Sequence, residues 1–363
     1  MDQANSRQIR PADAGTDAHD VENTTLSMAQ GSRDAQLDNC KLLLIWLMVL
    51  GHTFEQFRAD SSAISVLFSC IYVFHMEAFV LLAGYHSKNE KKCRNTAVER
   101  FLLPYMIFNF LSYLSISLID GTPFSLAGFQ LFSPHSTMWF LFAMFVWKIL
   151  LSDLARIRYV LPLSILLGLG VGVFPSVGIH YSFTRIFSFL PFFIAGYLMQ
   201  PAHMERIRRL PRVVGYVMLG IVITTVTILF GVIEIPPGIL YLSRGYRYYE
   251  IGLAGRTELL AGIGLRLLIY LLAAMMITTL FILVPCKSGK LTKLGRRTMT
   301  VYLLHFFVIR VFKKAIPVCE NLPLCLLLCV AVSLALTGIF ALPVFTRGYQ
   351  AVIQFFSRIL FHK

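Results

Sequence analysis

The chain has 363 residues, 56% of them hydrophobic and only 14% charged, with a mean hydropathy of +0.68. Soluble domains carry about 45–50% apolar and about 25% charged residues, so that class is excluded. The net charge of +14 is spread over short clusters between apolar blocks rather than gathered in one arm, which excludes nucleic acid as the expected partner.

Residues 1–37 stand apart. Asp2, Asp13, Asp17, Asp20, Glu22 and Asp34 face Arg7, Arg10 and Arg33, with few large apolar side chains and no apolar core of a secretory signal. A disordered cytosolic tail is expected there. Apolar blocks then fall near 40–57, 64–85, 99–119, 137–152, 159–175, 185–200, 213–233, 264–284, 298–315 and 322–346. At about 20 residues per crossing these predict an all-α, polytopic transmembrane helical bundle of about ten spans. An integral membrane domain over 38–350 and a short cytosolic C-terminal tail over 351–363 complete the expected organisation.

Basic clusters follow the even-numbered spans: Lys88 to Arg94, Arg156 and Arg158, Arg206 to Arg212, and Lys287 to Arg297. The positive-inside tendency therefore places both termini in the cytoplasm, with Lys313 and Lys314 as the main exception. The gap at 234–263 becomes the largest outward-facing segment, rich in Tyr, Arg and Gly, a composition that suits either sugar recognition or a membrane surface. The seven cysteines form no CxxC pair or metal-ligand spacing and read as packing residues, so no metal is expected.

The first span, "DNCKLLLIWLMVLGHTFEQF", holds Asp38, Lys41 and His52. Lys41 and His52 are eleven residues apart, about three turns, so they share a face about 16 Å apart along the axis. They cannot touch, and a shared task requires a ligand that runs between them. Lys41 reads either as such a group or as an interfacial anchor, and Asp38 either joins it or caps the helix. His52 is harder to explain structurally, since ionisable residues inside spans usually line polar cavities, and Gly51 beside it permits close approach. The second span adds His75 and Glu77, and a buried carboxylate must be paired, neutral or wet. Trp139 and Arg185 stand at span ends, where a belt or headgroup role is equally natural. Tyr302 and His305, at i and i+3, share a face.

Taken together, "LDNCKLLLIWLMVLGH" at 37–52, "FHMEAFVLLAGY" at 74–85, "RFLLPY" at 100–105, "MWFLFAMFVW" at 138–147, "RIFSFLPFFIAGY" at 185–197 and "LGRRTMTVYLLH" at 294–305 resemble the integral-membrane acyltransferase family 3, within it the fucose 4-O-acetylase-like branch. The resemblance implies transfer of an acyl group, usually acetyl from acetyl-CoA as acyl donor, to a hydroxyl of a sugar in a surface or secreted glycan or of a lipid-linked sugar. It also implies a bacterial inner (cytoplasmic) membrane, with membrane lipids and the glycan acceptor as partners. The family's basic-residue-x10-His signature falls on Lys41 and His52. Its basic patch before the third span falls on Arg100 and Arg94, although Ala97 stands where a second arginine is common. Glu77 and Ala83 replace the family's usual Pro and Ser.

On this reading Asp38, Lys41, Arg94 and Arg100 address the anionic end of the donor, and His52 is the general base. His75 orients the sugar or stabilises an oxyanion, Glu77 fixes an imidazole tautomer, and Trp139, Arg185, Tyr302 and His305 contact the acceptor. The rival reading, a proton-coupled glycan transporter or flippase, would be expected to show inverted repeats with interrupted helices, and no such symmetry is visible.

Overall fold

The computed structural model describes residues 34–174, 182–246, 255–318 and 320–361, so the tail expected over 1–37 lies almost wholly outside the described residues. Among the described residues every regular element is helical, with no strand, as the all-α expectation requires.

Helix α1, Ala35–Phe54, is capped by Asp34, whose carboxylate accepts from the amides of Gln36 and Leu37 at 3.0 and 3.3 Å. The cap is thus Asp34, not Asp38. The second span is interrupted: α2, Ser62–Tyr72, and α3, His75–Tyr85, meet at Val73–Phe74. Helix α4, Glu90–Ala97, runs through a π-turn at Val98–Leu102 into α5, Leu103–Asp120. Gly121 ends α5 with a φ of 73°, the left-handed geometry glycine accepts most readily. Next come α6, Trp139–Leu154, α7, Val160–Gly170, α8, Phe183–Leu198, and α9, Pro201–Arg208. The chain closes with α10, Arg212–Thr227, α11, Gly255–Leu283, α12, Thr298–Ala315, α13, Leu322–Phe340, and α14, Pro343–Leu360.

Among the described residues, seven helices, α2 with α3 and α4 with α5 each taken as one, are long and apolar enough to cross a membrane. The expected ten is not reached by that measure. Val160–Val173 and α8 are apolar but shorter, and α12 carries Arg310, Lys313 and Lys314. Other boundaries shift as well. Helix α11 begins at Gly255, inside the expected outward loop at 234–263. The block expected at 322–346 breaks at Ala341–Leu342, and the division expected after 350 falls within α14.

The core is organised around α1, whose Leu44, Met48 and Val49 are buried where α3, α12 and α13 pack against it. The tightest helix contact joins α3 and α8. A Cβ on Gly84 would lie 2.0 Å from the Phe193 carbonyl oxygen, and one on Gly196 would lie 1.9 Å from that of Leu81. Without a hydrophobic drive between spans, such small residues let backbones approach and recover dispersion energy. Lys88 then closes the end of α8, donating to the carbonyls of Gly196 at 3.3 Å and Met199 at 2.6 Å and also to that of Tyr197. The cations of α12 find partners where they sit. Arg310 pairs with Asp120, Lys313 donates to Glu55 at 2.8 Å, and Lys314 donates to the Ile119 carbonyl, which satisfies a donor without cancelling the charge.

Candidate active site

The break between α2 and α3 shapes the site. Phe74 has φ −148° and ψ −21°, outside helical geometry, so backbone groups around it lose their regular partners. His75 supplies one, its Nδ1 lying 2.9 Å from the Ile71 carbonyl oxygen. A carbonyl only accepts, so Nδ1 carries the proton and Nε2 is left as an acceptor. His305 is set in the same way, with Nδ1 3.0 Å from the Val301 carbonyl and a buried Nε2 that has no partner.

His52 lies between them. Its Nδ1 is 3.0 Å from the Tyr72 hydroxyl and 3.6 Å from the Glu55 carboxylate. Its ring is 5.3 Å, centre to centre, from that of His305. Gly51 makes the Tyr72 contact possible, because a Cβ there would meet the Tyr72 ring at 2.7 Å. The close approach expected at Gly51 is thus made by this ring. Glu55 is the electrostatic hub, with Lys313 on one oxygen and the Tyr241 hydroxyl on the other. Burial, and then the Glu55 charge, push the Tyr241 hydroxyl well above the usual tyrosine range, which keeps it a donor.

These groups open onto a cavity of about 250 Å³, lined by His52, Glu55, Tyr72, His75, Trp139, Arg185, Tyr241 and Tyr302 among others. Its floor is aromatic. Trp139 stacks on Phe189 at 4.9 Å, and the Arg185 guanidinium lies 5.0 Å above the Trp139 ring while its Nε donates to the Tyr241 carbonyl at 3.3 Å. Tyr302 donates to the Thr137 carbonyl at 2.5 Å. A second cavity, of about 80 Å³, shares Met48, Met76 and Tyr302 with the first and extends along α1 as far as Ile45. Lys41, Ile45, Met48 and His52 follow at i, i+4, i+7 and i+11, one face of α1, so the two cavities line that face from His52 to Ile45, one turn short of Lys41.

Five of the expected residues, His52, His75, Trp139, Arg185 and Tyr302, are therefore brought together from five helices. His305 lies behind His52, on a third cavity of about 60 Å³ that also reaches Glu55. Glu77 is not with them. Two positions beyond His75 on the helix it points about 200° away, and its buried carboxyl oxygens have no hydrogen-bond partner. Backbone carbonyls, not Glu77, hold His75 and His305. Asp38 is buried, pairing with Lys41 at 2.7 Å and Arg296 at 3.1 Å. Arg94 is exposed, 3.2 Å from the Ser152 hydroxyl and 3.7 Å from Asp153, and Arg100 is exposed on the π-turn.

Sequence reasoning passed over Glu55, Tyr72, Tyr241 and Lys313. Only Glu55 carried a local signal, since it stands one turn after His52 on the same face. Lys148 was also missed: it is buried in α6, donating to the Ser87 hydroxyl and to Cys93 Sγ at 3.6 Å.

A helical membrane protein with a polar, imidazole-lined cavity inside its bundle is the class these features define. The sequence matches the model of acyltransferase family 3, described as an acyltransferase domain, over residues 34–342, and the chain belongs to that family. No curated protein and no solved structure matches the chain significantly.

Proposed function

We propose that the chain is an O-acyltransferase that moves an acyl group, acetyl in the simplest case, from acyl-CoA to a hydroxyl of a sugar or surface glycan, as in the fucose 4-O-acetylase-like branch. The observation that carries this reading is the placement of His52 between a carboxylate-supported side and a cavity wide enough for a polar substrate. With Glu55 and Tyr72 gathered at Nδ1, the other ring nitrogen is the one available to the cavity. Histidine suits the task because its ordinary pKa of about 6.5 lies near working pH.

The acceptor hydroxyl gives its proton to His52 Nε2 as its oxygen attacks the thioester carbonyl. The carbon–sulfur bond then breaks, and the leaving thiolate takes the proton back from His52. The 250 Å³ cavity holds the acceptor, with the Trp139 and Tyr241 rings in its wall and Arg185 as a fixed guanidinium. His75 presents its free Nε2 as an acceptor for a sugar hydroxyl.

The narrow second cavity suits the thin arm of the donor. Its wall of Ile45, Met48, Met76, Phe79 and Phe140 is apolar and, through its methionines, adaptable. The donor's anionic end belongs at the Lys41 end of α1. Lys41 and Arg296 share a single carboxylate, Asp38, so this trio keeps one net positive charge. Arg100, exposed on the π-turn of the chain's basic patch, would add another. On this reading the cation-bearing end of the bundle faces the cytoplasm, with both termini on that side, and the family resemblance makes the membrane a bacterial inner one. The test is reconstitution of the purified protein with acetyl-CoA labelled in its acetyl group and a panel of sugar acceptors. Label transferred to an alkali-labile ester on a sugar supports the proposal, and coenzyme A release without any acylated acceptor overturns it.

A further inference from the structure

We propose that α14 is an in-plane helix seated in the membrane surface, with the phospholipid leaflet at the basic end of the bundle as its partner. The inference does not depend on the acyl-transfer chemistry. Residues 343–360 lie beyond the part of the chain that matches the family, and they were expected to end in a dissolved tail.

The helix has three distinct faces. Phe345, Tyr349, Ile353 and Ser357, at i, i+4, i+8 and i+12, turn toward the protein. Tyr349 lies 6.3 Å from the Phe108 ring, and the Ser357 hydroxyl donates to Glu99 at 2.7 Å, which pins α14 across α5 and the π-turn. Val344, Val352, Phe355 and Ile359 form a second row, 64%, 41%, 60% and 63% exposed among the described residues. Arg347, Gln350, Gln354 and Arg358, at i, i+3, i+7 and i+11, make the third face, which is exposed.

The membrane is the occupant that fits that apolar row. The preceding helix α13 is a span buried in the protein over only 28% of its apolar window, so its outer face already meets lipid. Only Ala341 and Leu342 separate it from α14, which therefore starts at the boundary where the span ends. Its 18 residues, about 27 Å at 1.5 Å each, would nearly cross a bilayer, yet two arginines and two glutamines along one side forbid that. Lying flat, the helix sinks its apolar row among the acyl chains and brings Arg347 and Arg358 level with anionic headgroups.

The test uses the full chain in vesicles of phosphatidylcholine with phosphatidylglycerol, with the accessible native cysteines replaced by serine. Single nitroxide labels replace Val352, Phe355 or Ile359 on one face and Gln350 or Gln354 on another. These side chains are all exposed, so the labels are accommodated without disturbing the core. Collision with oxygen, enriched in lipid, should exceed collision with a water-soluble nickel chelate several-fold at the first three, and the order should reverse at the other two. The combined R347Q and R358Q variant should weaken the lipid preference of the label at 355 in these vesicles. Nickel access at all five positions means a helix free in water and overturns the proposal. Spin–spin broadening at 355, which dilution with unlabelled protein removes, means a second copy covers the face and also overturns it. An unchanged label at 355 in the R347Q and R358Q variant overturns the role given to the headgroups.

Discussion

His52 Nδ1 stands 3.6 Å from the carboxylate of Glu55, the residue just past the end of the same helix, and Lys313 from α12 holds that carboxylate at 2.8 Å. The pair is local in sequence, but its setting is not. On the proposed reading the carboxylate favours a proton on Nδ1 and leaves Nε2 to act as the base, the role a carboxylate plays beside a histidine in hydrolase triads. His52→Ala should therefore cut acyl transfer by about 10²–10⁴-fold without lowering protein abundance in the membrane. Glu55→Gln should lower kcat by less, because Tyr72 still orients the ring, and should leave the donor KM unchanged. Steady-state kinetics on reconstituted protein checks both. Full activity of the alanine variant would remove His52 from the chemistry.

Arg185 is held flat over Trp139, 5.0 Å from the ring centre, and tied to the Tyr241 carbonyl. On the proposed reading a guanidinium fixed in this way offers directional donors to the acceptor sugar. Arg185→Ala should raise the acceptor KM about tenfold or more, the cost of losing a hydrogen bond to a charged group, and should spare the donor KM. Arg185→Lys should not rescue it, because an ammonium cannot reproduce the planar stack. Equal effects on both KM values would place Arg185 outside the acceptor site.

The sequence carried the helical class, the first-span face running from Lys41 to His52, and the polar residues that face the cavity. An intramembrane histidine is costly wherever it falls, so its presence is informative without a structure. What stayed hidden depends on contacts between distant segments. Tyr72 reaches His52 because α2 stops one turn before His75, and no turn residue marks that break in "CIYVFHME". Tyr241 and Lys313 meet at Glu55 from loops and helices far apart in the chain. Glu77 misled for the opposite reason. Proximity to His75 in sequence suggested a partnership that helical geometry, at about 200° for two residues, rules out.

Asp38 is buried at 1% exposure with two cations on its carboxylate. Removing it leaves Lys41 and Arg296, 19% and 43% exposed, facing each other without their shared carboxylate but still in reach of water. Asp38→Ala should therefore destabilise the protein by about 1–3 kcal/mol, the range for lost hydrogen bonds to a charged group. Lys41→Met should cost less, since Arg296 still satisfies Asp38, and should appear instead as a raised donor KM. Thermal unfolding in detergent, together with donor titration, separates the two effects. A Lys41→Met variant with normal donor KM would make Lys41 a structural partner of Asp38 and nothing more.

Gly84 and Gly196 place the backbones of α3 and α8 in direct contact, which sets the position of His75 at the start of α3. The atoms a Cβ would strike, the carbonyl oxygens of Phe193 and Leu81 at 2.0 and 1.9 Å, are main chain and cannot rotate aside. Gly196→Ala should thus force the helices apart and destabilise the protein by about 1–3 kcal/mol or more. It should also lower activity by shifting His75 in the cavity. Gly220 on α10 is the control, because a Cβ there meets nothing within 4 Å. Gly220→Ala should be neutral or should stabilise by about 0.5–1 kcal/mol through the helix propensity of alanine. If both substitutions leave the melting temperature and the activity unchanged, the α3–α8 contact is looser than the glycines indicate, and His75 is not held by it.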